Sequence, residues 1–105
     1  MEIYKAILHY AFEGGISHWL TRVVIIKPGA GGPKLIADRV MNNGTLGLYP
    51  HLDFQPTELT LDKVKKGLQL WLKAQDLNEI LIEEIEPSNA DEIIQFSLFG
   101  KVKYK

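Results

Sequence analysis

The chain has 105 residues, a mass of 11.9 kDa and a net charge of -1, with 46% hydrophobic and 24% charged residues. That is ordinary globular composition for one domain with a modest core, and it argues against disorder and low complexity. No cysteine is present, which excludes disulfide staples, thiolate metal sites and a cysteine nucleophile, and the near-neutral charge removes the usual electrostatic footprint of a nucleic-acid binder while leaving a local basic patch open.

Residues 3–12 predict a helix. Ile3, Ile7, Tyr10 and Ala11 form one apolar stripe, and Tyr4, Leu8 and Phe12 widen it. Gly14-Gly15 stops it, because glycine takes a left-handed conformation without a side-chain clash. Residues 16–26 predict a strand. The run Val23 to Ile26 places apolar groups on both faces, as in a central strand covered on both sides.

The segment Lys27–Pro33 is a Gly/Pro-rich loop. It is expected to join that strand to Leu35–Met41 as an antiparallel hairpin. Asn42-Asn43-Gly44 supplies a tight turn into a short strand, Thr45 to Tyr49, which Pro50 ends. His51 to Leu59 reads mostly as connection.

Thr60 is placed to cap the next helix, whose apolar stripe is Leu61, Val64, Leu68, Trp71 and Leu72 and which runs to about Gln75. In Asp76–Ile85, Ile80 and Ile82 alternate as in a strand while Leu77, Leu81 and Ile85 repeat as in a helix. The helical reading is preferred. Asn89 followed by Glu92 approximates a capping box for a final helix through Phe99, closed by Gly100. The tail Lys101–Lys105 alternates at period two, so a further strand is expected there with its lysines facing water. The expected fold is a single α+β domain, residues 1–105. It has a three- or four-stranded, mainly antiparallel meander with three or four helices packed on it, in the order α-β-β-β-α-(α)-α-(β).

No apolar run approaches the roughly 20 residues that span a bilayer. Met1-Glu2-Ile3-Tyr4-Lys5 lacks a basic region followed by a long apolar stretch, so no signal peptide is expected and a cytoplasmic protein is the default. Residues 1–50 carry five basic and three acidic groups, and residues 51–105 carry seven basic and ten acidic groups. Lys63, Lys65 and Lys66 form one small basic cluster, and Lys101, Lys103 and Lys105 another. Such runs usually mark solvated faces.

The glycine-rich loop Pro28–Lys34 fails both common phosphate templates. Leu35 follows Lys34 where a Walker loop needs Ser or Thr, and Lys34 stands where the dinucleotide fingerprint needs its third glycine. His9, His18 and His51 lack the helical i,i+4 spacing of a zinc motif, and His51 with Asp53 is a thin pairing, so no metal and no cofactor is expected. Glu13, His18 and Asp91 are acid–base residue types. A carboxylate beside an imidazole performs proton transfer where a fold brings them together. The plainer reading makes Glu13 an exposed helix-end residue, His18 a strand residue and Asp91 a first-turn acid favoured by the helix dipole. Trp19, Trp71, Phe96, Phe99 and Tyr104 form either a binding surface or core. Gln95, one turn beyond Asp91, suits a buried amide tying its helix to neighbouring backbone.

Two stretches carry a resemblance. Ala11-Phe12-Glu13-Gly14-Gly15-Ile16-Ser17-His18-Trp19 follows the pattern A-x-E-G-G-I-x-x-W, and Ala90-Asp91-Glu92-Ile93-Ile94-Gln95-Phe96-Ser97-Leu98-Phe99-Gly100 follows A-D-x-I-x-Q-x-x-L-F-G. Together, in this order, they resemble a family of small uncharacterised bacteriophage and prophage proteins. The similarity covers both ends of the chain and loosely the helix around Gly67. Two departures change local charge: the Tyr that commonly precedes the Trp is His18 here, and Lys101 and Lys105 replace an acidic residue and the Tyr-Gly that follow F-G. The resemblance implies a mobile-element origin and carries over no activity and no catalytic residues.

The leading expectation is therefore a non-enzymatic accessory or binding protein of phage type. Its partner would be another protein, with homo-oligomerisation open and no membrane involved. The alternative is a small enzyme using Glu13 and His18, with Asp91 as a further candidate. A third reading is nucleic-acid binding through lysines such as Lys63 and Lys66 and those of the tail. Candidate binding residues outside the lysines are Trp19 and Gln95. We further expect the Glu-Gly-Gly turn to pack on the last helix, with Trp19 and Phe99 in one cluster and Glu13, Asp91 and Gln95 at its edge.

Overall fold

A computed structural model describes residues 2–32, 35–51 and 54–105. The first stripe forms α1 (Glu2–Tyr10), burying Ile7 and Leu8, and then widens into a π turn at Ala11–Gly15. The wide turn is closed by the Ile16 amide donating to the Ala11 carbonyl at 3.1 Å. Gly14 breaks the helical path at φ +155°, ψ -20°, a conformation side chains disfavour. β1 (Leu20–Lys27) begins four residues later than expected, because Ser17 and Trp19 continue the turn through hydrogen bonds to Gly14 and Ile16.

Among the described residues, the sheet has three antiparallel strands in the order β1, β2 (Thr45–Pro50), β3 (Thr57–Leu59). The meander is therefore present, but one of its three strands is not the expected one. Leu35–Met41 is not a hairpin strand: Ile36–Met41 forms α2, burying Ala37 and Val40. These two are three apart and share a helix face, a spacing that a six-residue run shows too briefly to read. The third strand, β3, comes from the stretch taken as connection.

β1 is an edge strand and not a central one. Its apolar outer residues have a different cause. Val24 and Ile26 close over Gly47 of β2, where an added Cβ would lie 2.9 Å from Val24 Cγ2 and 3.2 Å from Ile26 Cδ1. The buried central strand is β2, whose Leu46 and Leu48 are fully enclosed with Leu59 beneath the helices.

α3 (Leu61–Ala74) follows expectation closely. The Thr60 hydroxyl accepts from the Lys63 amide at 3.3 Å, and every residue of the expected stripe is buried. Asp76–Ile85 is not a helix. Only Ile82–Glu84 forms a single 3₁₀ turn, and Asp76 at φ +58° turns the chain out of α3. α4 (Pro87–Phe99) starts at Pro87, with Glu86 as its N-cap, and ends at Gly100 with φ +74°. Asn89 acts from inside the first turn: its Oδ1 accepts the Glu86 amide at 2.6 Å and its Nδ2 donates to the Glu84 carbonyl at 3.2 Å. Proline at the first helical position moves the cap three residues earlier than the expected Asn89, because proline needs no amide partner there.

α3 and α4 cross closely at Gly67. An added Cβ there would sit 2.7 Å from the Ser97 amide nitrogen and 2.8 Å from the Ile93 carbonyl oxygen. Trp71 Nε1 donates to Glu92 Oε1 at 2.9 Å across the same crossing. The tail after Gly100 is not a strand, but Lys101, Lys103 and Lys105 are exposed as the alternation implied.

Candidate functional site

The two signatures meet. Gly15 packs on the start of α4, where an added Cβ would lie 2.6 Å from the Pro87 carbonyl oxygen. This close approach lets the chain turn Trp19 inward, to 2% exposure. Its indole Nε1 donates to Asp91 Oδ1 at 2.6 Å, and Gln95 Nε2 donates to the same oxygen at 3.0 Å. Asp91 and Gln95 are one helical turn apart, so both face Trp19 from α4.

Gln95 is fully buried and uses its whole amide. Its Nε2 also donates to the Tyr104 carbonyl at 2.8 Å, while its Oε1 accepts the amides of Lys103 at 2.8 Å and Tyr104 at 2.7 Å. These bonds bring the tail back across the domain. Tyr104 then stacks on Trp19 with ring centroids 5.6 Å apart, and Phe99 meets both rings edge-on at 6.0 and 5.8 Å. Lys103 Nζ lies over Phe99 and Tyr104 at 5.2 and 5.5 Å from the centroids. The result is a clasp joining the π turn, α4 and the tail through one carboxylate and one amide.

His18 stands at the outer edge of the clasp, with Nε2 3.5 Å from Asp91 Oδ2 and its side chain 44% exposed. A carboxylate holding an imidazole is half of an acid–base apparatus. Here the neighbouring hydroxyl is engaged, since Ser17 Oγ donates to the Gly14 carbonyl at 2.8 Å. Five surface hollows among the described residues are lined by neither His18 nor Asp91.

Glu13 is exposed and does not join this group. It lines a separate hollow with His9, Phe12 and the start of α2. The expected cluster of Trp19, Phe99, Asp91 and Gln95 is present; the expected Glu13 edge is not. The wide turn explains the difference, since it sends residues 12–13 toward α2 and residues 18–19 toward α4. Burial removes Trp19 and Gln95 from direct contact with any partner.

The lysines disperse. Lys63 Nζ donates to the Glu58 carbonyl at 2.8 Å, Lys65 lies 5.8 Å from the Tyr4 ring centroid, and Lys66 is exposed. Asp53, the partner considered for His51, lies outside the described residues, as do Pro33 and Lys34 of the glycine loop. In that loop Gly29, at φ +82°, approaches the backbone of residues 39–44, and the Ala30 amide donates to the Asn42 carbonyl at 2.8 Å. The loop thus folds onto its own neighbour. Among the described residues no group of three or more His, Asp or Glu side chains is placed to hold a metal ion, and no helix is long and apolar enough to cross a membrane.

Two features lay outside the sequence reading. One is the His9–Asp38 pair, with Nε2 to Oδ1 at 3.7 Å, which became visible only once residues 36–41 were helical. The other is a groove between α3 and the irregular 78–83 segment, about 420 Å³ in volume. Its signal was available in Ile80, Leu81 and Ile82, consecutive apolar residues in a segment split between a strand period and a helix period. Comparison of the chain with protein-family models, curated proteins and solved structures finds no significant match.

Proposed function

We propose that this is a non-enzymatic accessory protein of phage or prophage origin. It works in the cytoplasm of a bacterial host by binding a basic, apolar segment of a partner protein. The observation that carries this reading is the groove beside α3. Leu68, Leu72, Ile80 and Leu81 line it, and Glu79 and Glu83 add carboxylates. Leu81 and Ile82, two of its lining residues, are 51% and 42% exposed. An apolar floor with an acidic rim is complementary to an amphipathic cationic segment. The two terminal signatures support the mobile-element origin.

The enzyme reading loses support because Glu13 and His18 serve different neighbourhoods and the polar atoms around Asp91 are satisfied internally. The nucleic-acid reading loses support because Lys63 and Lys103 are engaged within the fold.

A Lys/Leu amphipathic helical peptide and its Glu/Leu counterpart, titrated in fluorescence anisotropy, test the proposal. The cationic peptide is expected to bind, the acidic one to bind about tenfold more weakly or worse, and Leu81→Glu to weaken the cationic complex by about tenfold. Equal binding of both peptides, no binding of the cationic one, or indifference to Leu81→Glu overturns it.

A further inference from the structure

The clasp has two separable halves. Trp19, Asp91, Gln95 and Phe99 belong to the body of the domain, and residues 101–105 form the tail. The body half is held without the tail. Asp91 Oδ1 accepts from both Trp19 Nε1 and Gln95 Nε2, which fixes the indole and the amide before anything is laid across them. The tail forms no helix or strand. Gln95 reads its main chain, accepting the Lys103 and Tyr104 amides and donating to the Tyr104 carbonyl. The cleft then seats the Tyr104 ring against Trp19 and Phe99, with centroids 5.6 and 5.8 Å away. Main-chain hydrogen bonds plus one side-chain pocket are what recognition of an extended segment requires.

The hinge between the halves is short. Residues 100–102 reverse the chain from the end of α4 to Lys103, with Gly100 at φ +74°. Exchange of an identical element between copies is favoured where a short hinge has to double back, because extending the hinge removes the reversal while every contact is re-formed in the partner. We propose that residues 101–105 exchange between two copies of this chain, each seating its Tyr104 against Trp19 and Phe99 of the other. The occupant follows from fit: the tail of a second copy presents the same amides, carbonyl and ring that the cleft already holds. While a chain's own tail is in place, Trp19 at 2% and Gln95 at 0% exposure are closed to a partner, and pivoting at Gly100 opens both. The tail residues 101–105 reach at most about 17 Å, which sets the α4 ends of the two copies side by side. A short tether supplies an effective concentration of order mM, so exchange competes with self-closure as the protein approaches about 1 mM. The groove beside α3 takes no part, so either proposal can fail without the other.

Sedimentation equilibrium of the intact chain is expected to show a monomer–dimer equilibrium with Kd of about 1 mM or tighter. In a mixture of isotope-labelled and unlabelled chain, isotope-filtered NMR is expected to find contacts between the Tyr104 ring of one copy and the Trp19 ring of the other. Two variants separate the halves: Tyr104→Ala keeps the cleft and loses the ring, and Gln95→Ala keeps the ring and loses the cleft. Each alone is expected to dimerise at least about tenfold more weakly than the native chain. Unlabelled Gln95→Ala added to labelled Tyr104→Ala is expected to return the Trp19 indole N–H resonance toward its native position. The Trp71 indole, which donates to Glu92, should stay unmoved. If Gln95→Ala does not fold, the mixed-label experiment on the native chain decides alone. The proposal is overturned by a native chain that is monomeric at about 1 mM, by a dimer without Tyr104–Trp19 contacts between copies, or by a dimer of native strength in Tyr104→Ala.

Discussion

Replacing Asp91 by alanine tests whether the clasp is the structural joint described. Asp91 Oδ1 accepts from Trp19 Nε1 at 2.6 Å and from Gln95 Nε2 at 3.0 Å, and the Asp91 side chain is 13% exposed. Alanine removes both bonds. Gln95 Nε2 keeps the Tyr104 carbonyl, but the indole N–H of Trp19, itself 2% exposed, loses its partner. An orphaned buried donor costs about 1–3 kcal/mol, and hydrogen bonds to a charged acceptor contribute about 1.5–3 kcal/mol. We therefore expect Asp91→Ala to cost about 3 kcal/mol in urea unfolding followed by circular dichroism. Against a total stability of about 5–15 kcal/mol this is a large loss. At about 4–8 °C per kcal/mol it lowers Tm by roughly 12–24 °C. Asp91→Asn keeps an acceptor at Oδ1 and loses its charge, so it should cost about half as much, near 1.5 kcal/mol. In a Trp19→Phe background the donor is already gone, and Asp91→Ala should cost about 1–2 kcal/mol less than in the native chain. His18→Ala is the control: with 44% of its side chain exposed and a 3.5 Å contact, it should change stability by no more than about 0.5 kcal/mol. An Asp91→Ala loss below about 0.5 kcal/mol, or no coupling to Trp19, would refute the assignment of Asp91 as the joint.

Gly67→Ala gains about 1 kcal/mol of helix propensity but drives its Cβ into the Ile93 carbonyl and the Ser97 amide, 2.8 and 2.7 Å away, at backbone that yields little. We expect a net loss of about 1–2 kcal/mol in chemical denaturation from overpacking, and a neutral result would show that α3 and α4 separate freely. Gln95→Ala should release the tail at a cost of about 2 kcal/mol, because three hydrogen bonds to Lys103 and Tyr104 vanish together. Hydrogen exchange reads this directly: the Lys103 and Tyr104 amides should become unprotected while α3 amides slow to exchange stay protected, and retained tail protection would contradict the clasp.

What the sequence made legible follows from the range of each interaction. The stripe Leu61, Val64, Leu68, Trp71, Leu72 is a local signal repeated over about three turns, and together with the Thr60 cap it placed α3 almost to the residue. Pairing of distant segments was anticipated at one point: Trp19 and Phe99 were expected in one cluster with Asp91 and Gln95 at its edge, although Trp19 and Asp91 are 72 residues apart. Failure came where two local signals were of similar strength. Ile36–Met41 offers fewer than two helical turns, so its buried Ala37 and Val40 were outweighed by the Gly/Pro-rich loop before it and the Asn-Asn-Gly turn after it. The run Val23–Ile26 was read as a strand covered on both faces, yet β1 is an edge strand with Ile25 and Ile26 49% and 44% exposed, and the outer contact is with Gly47 of the adjacent strand and not with a second layer. The same logic governs Glu13. Its position beside Gly14-Gly15 marked a special backbone, but the direction of its side chain depends on one extra residue in a helical turn. A π turn advances the following chain by about 100° relative to an α turn, the angle one residue occupies in a 3.6-residue repeat. That extra residue, together with the non-helical Gly14 at φ +155°, separates Glu13 from His18. It divides one imagined acid–base pair into two settings with different chemistry: His18 at the edge of a satisfied structural clasp, and Glu13 in a hollow that His9, Phe12 and the start of α2 also line.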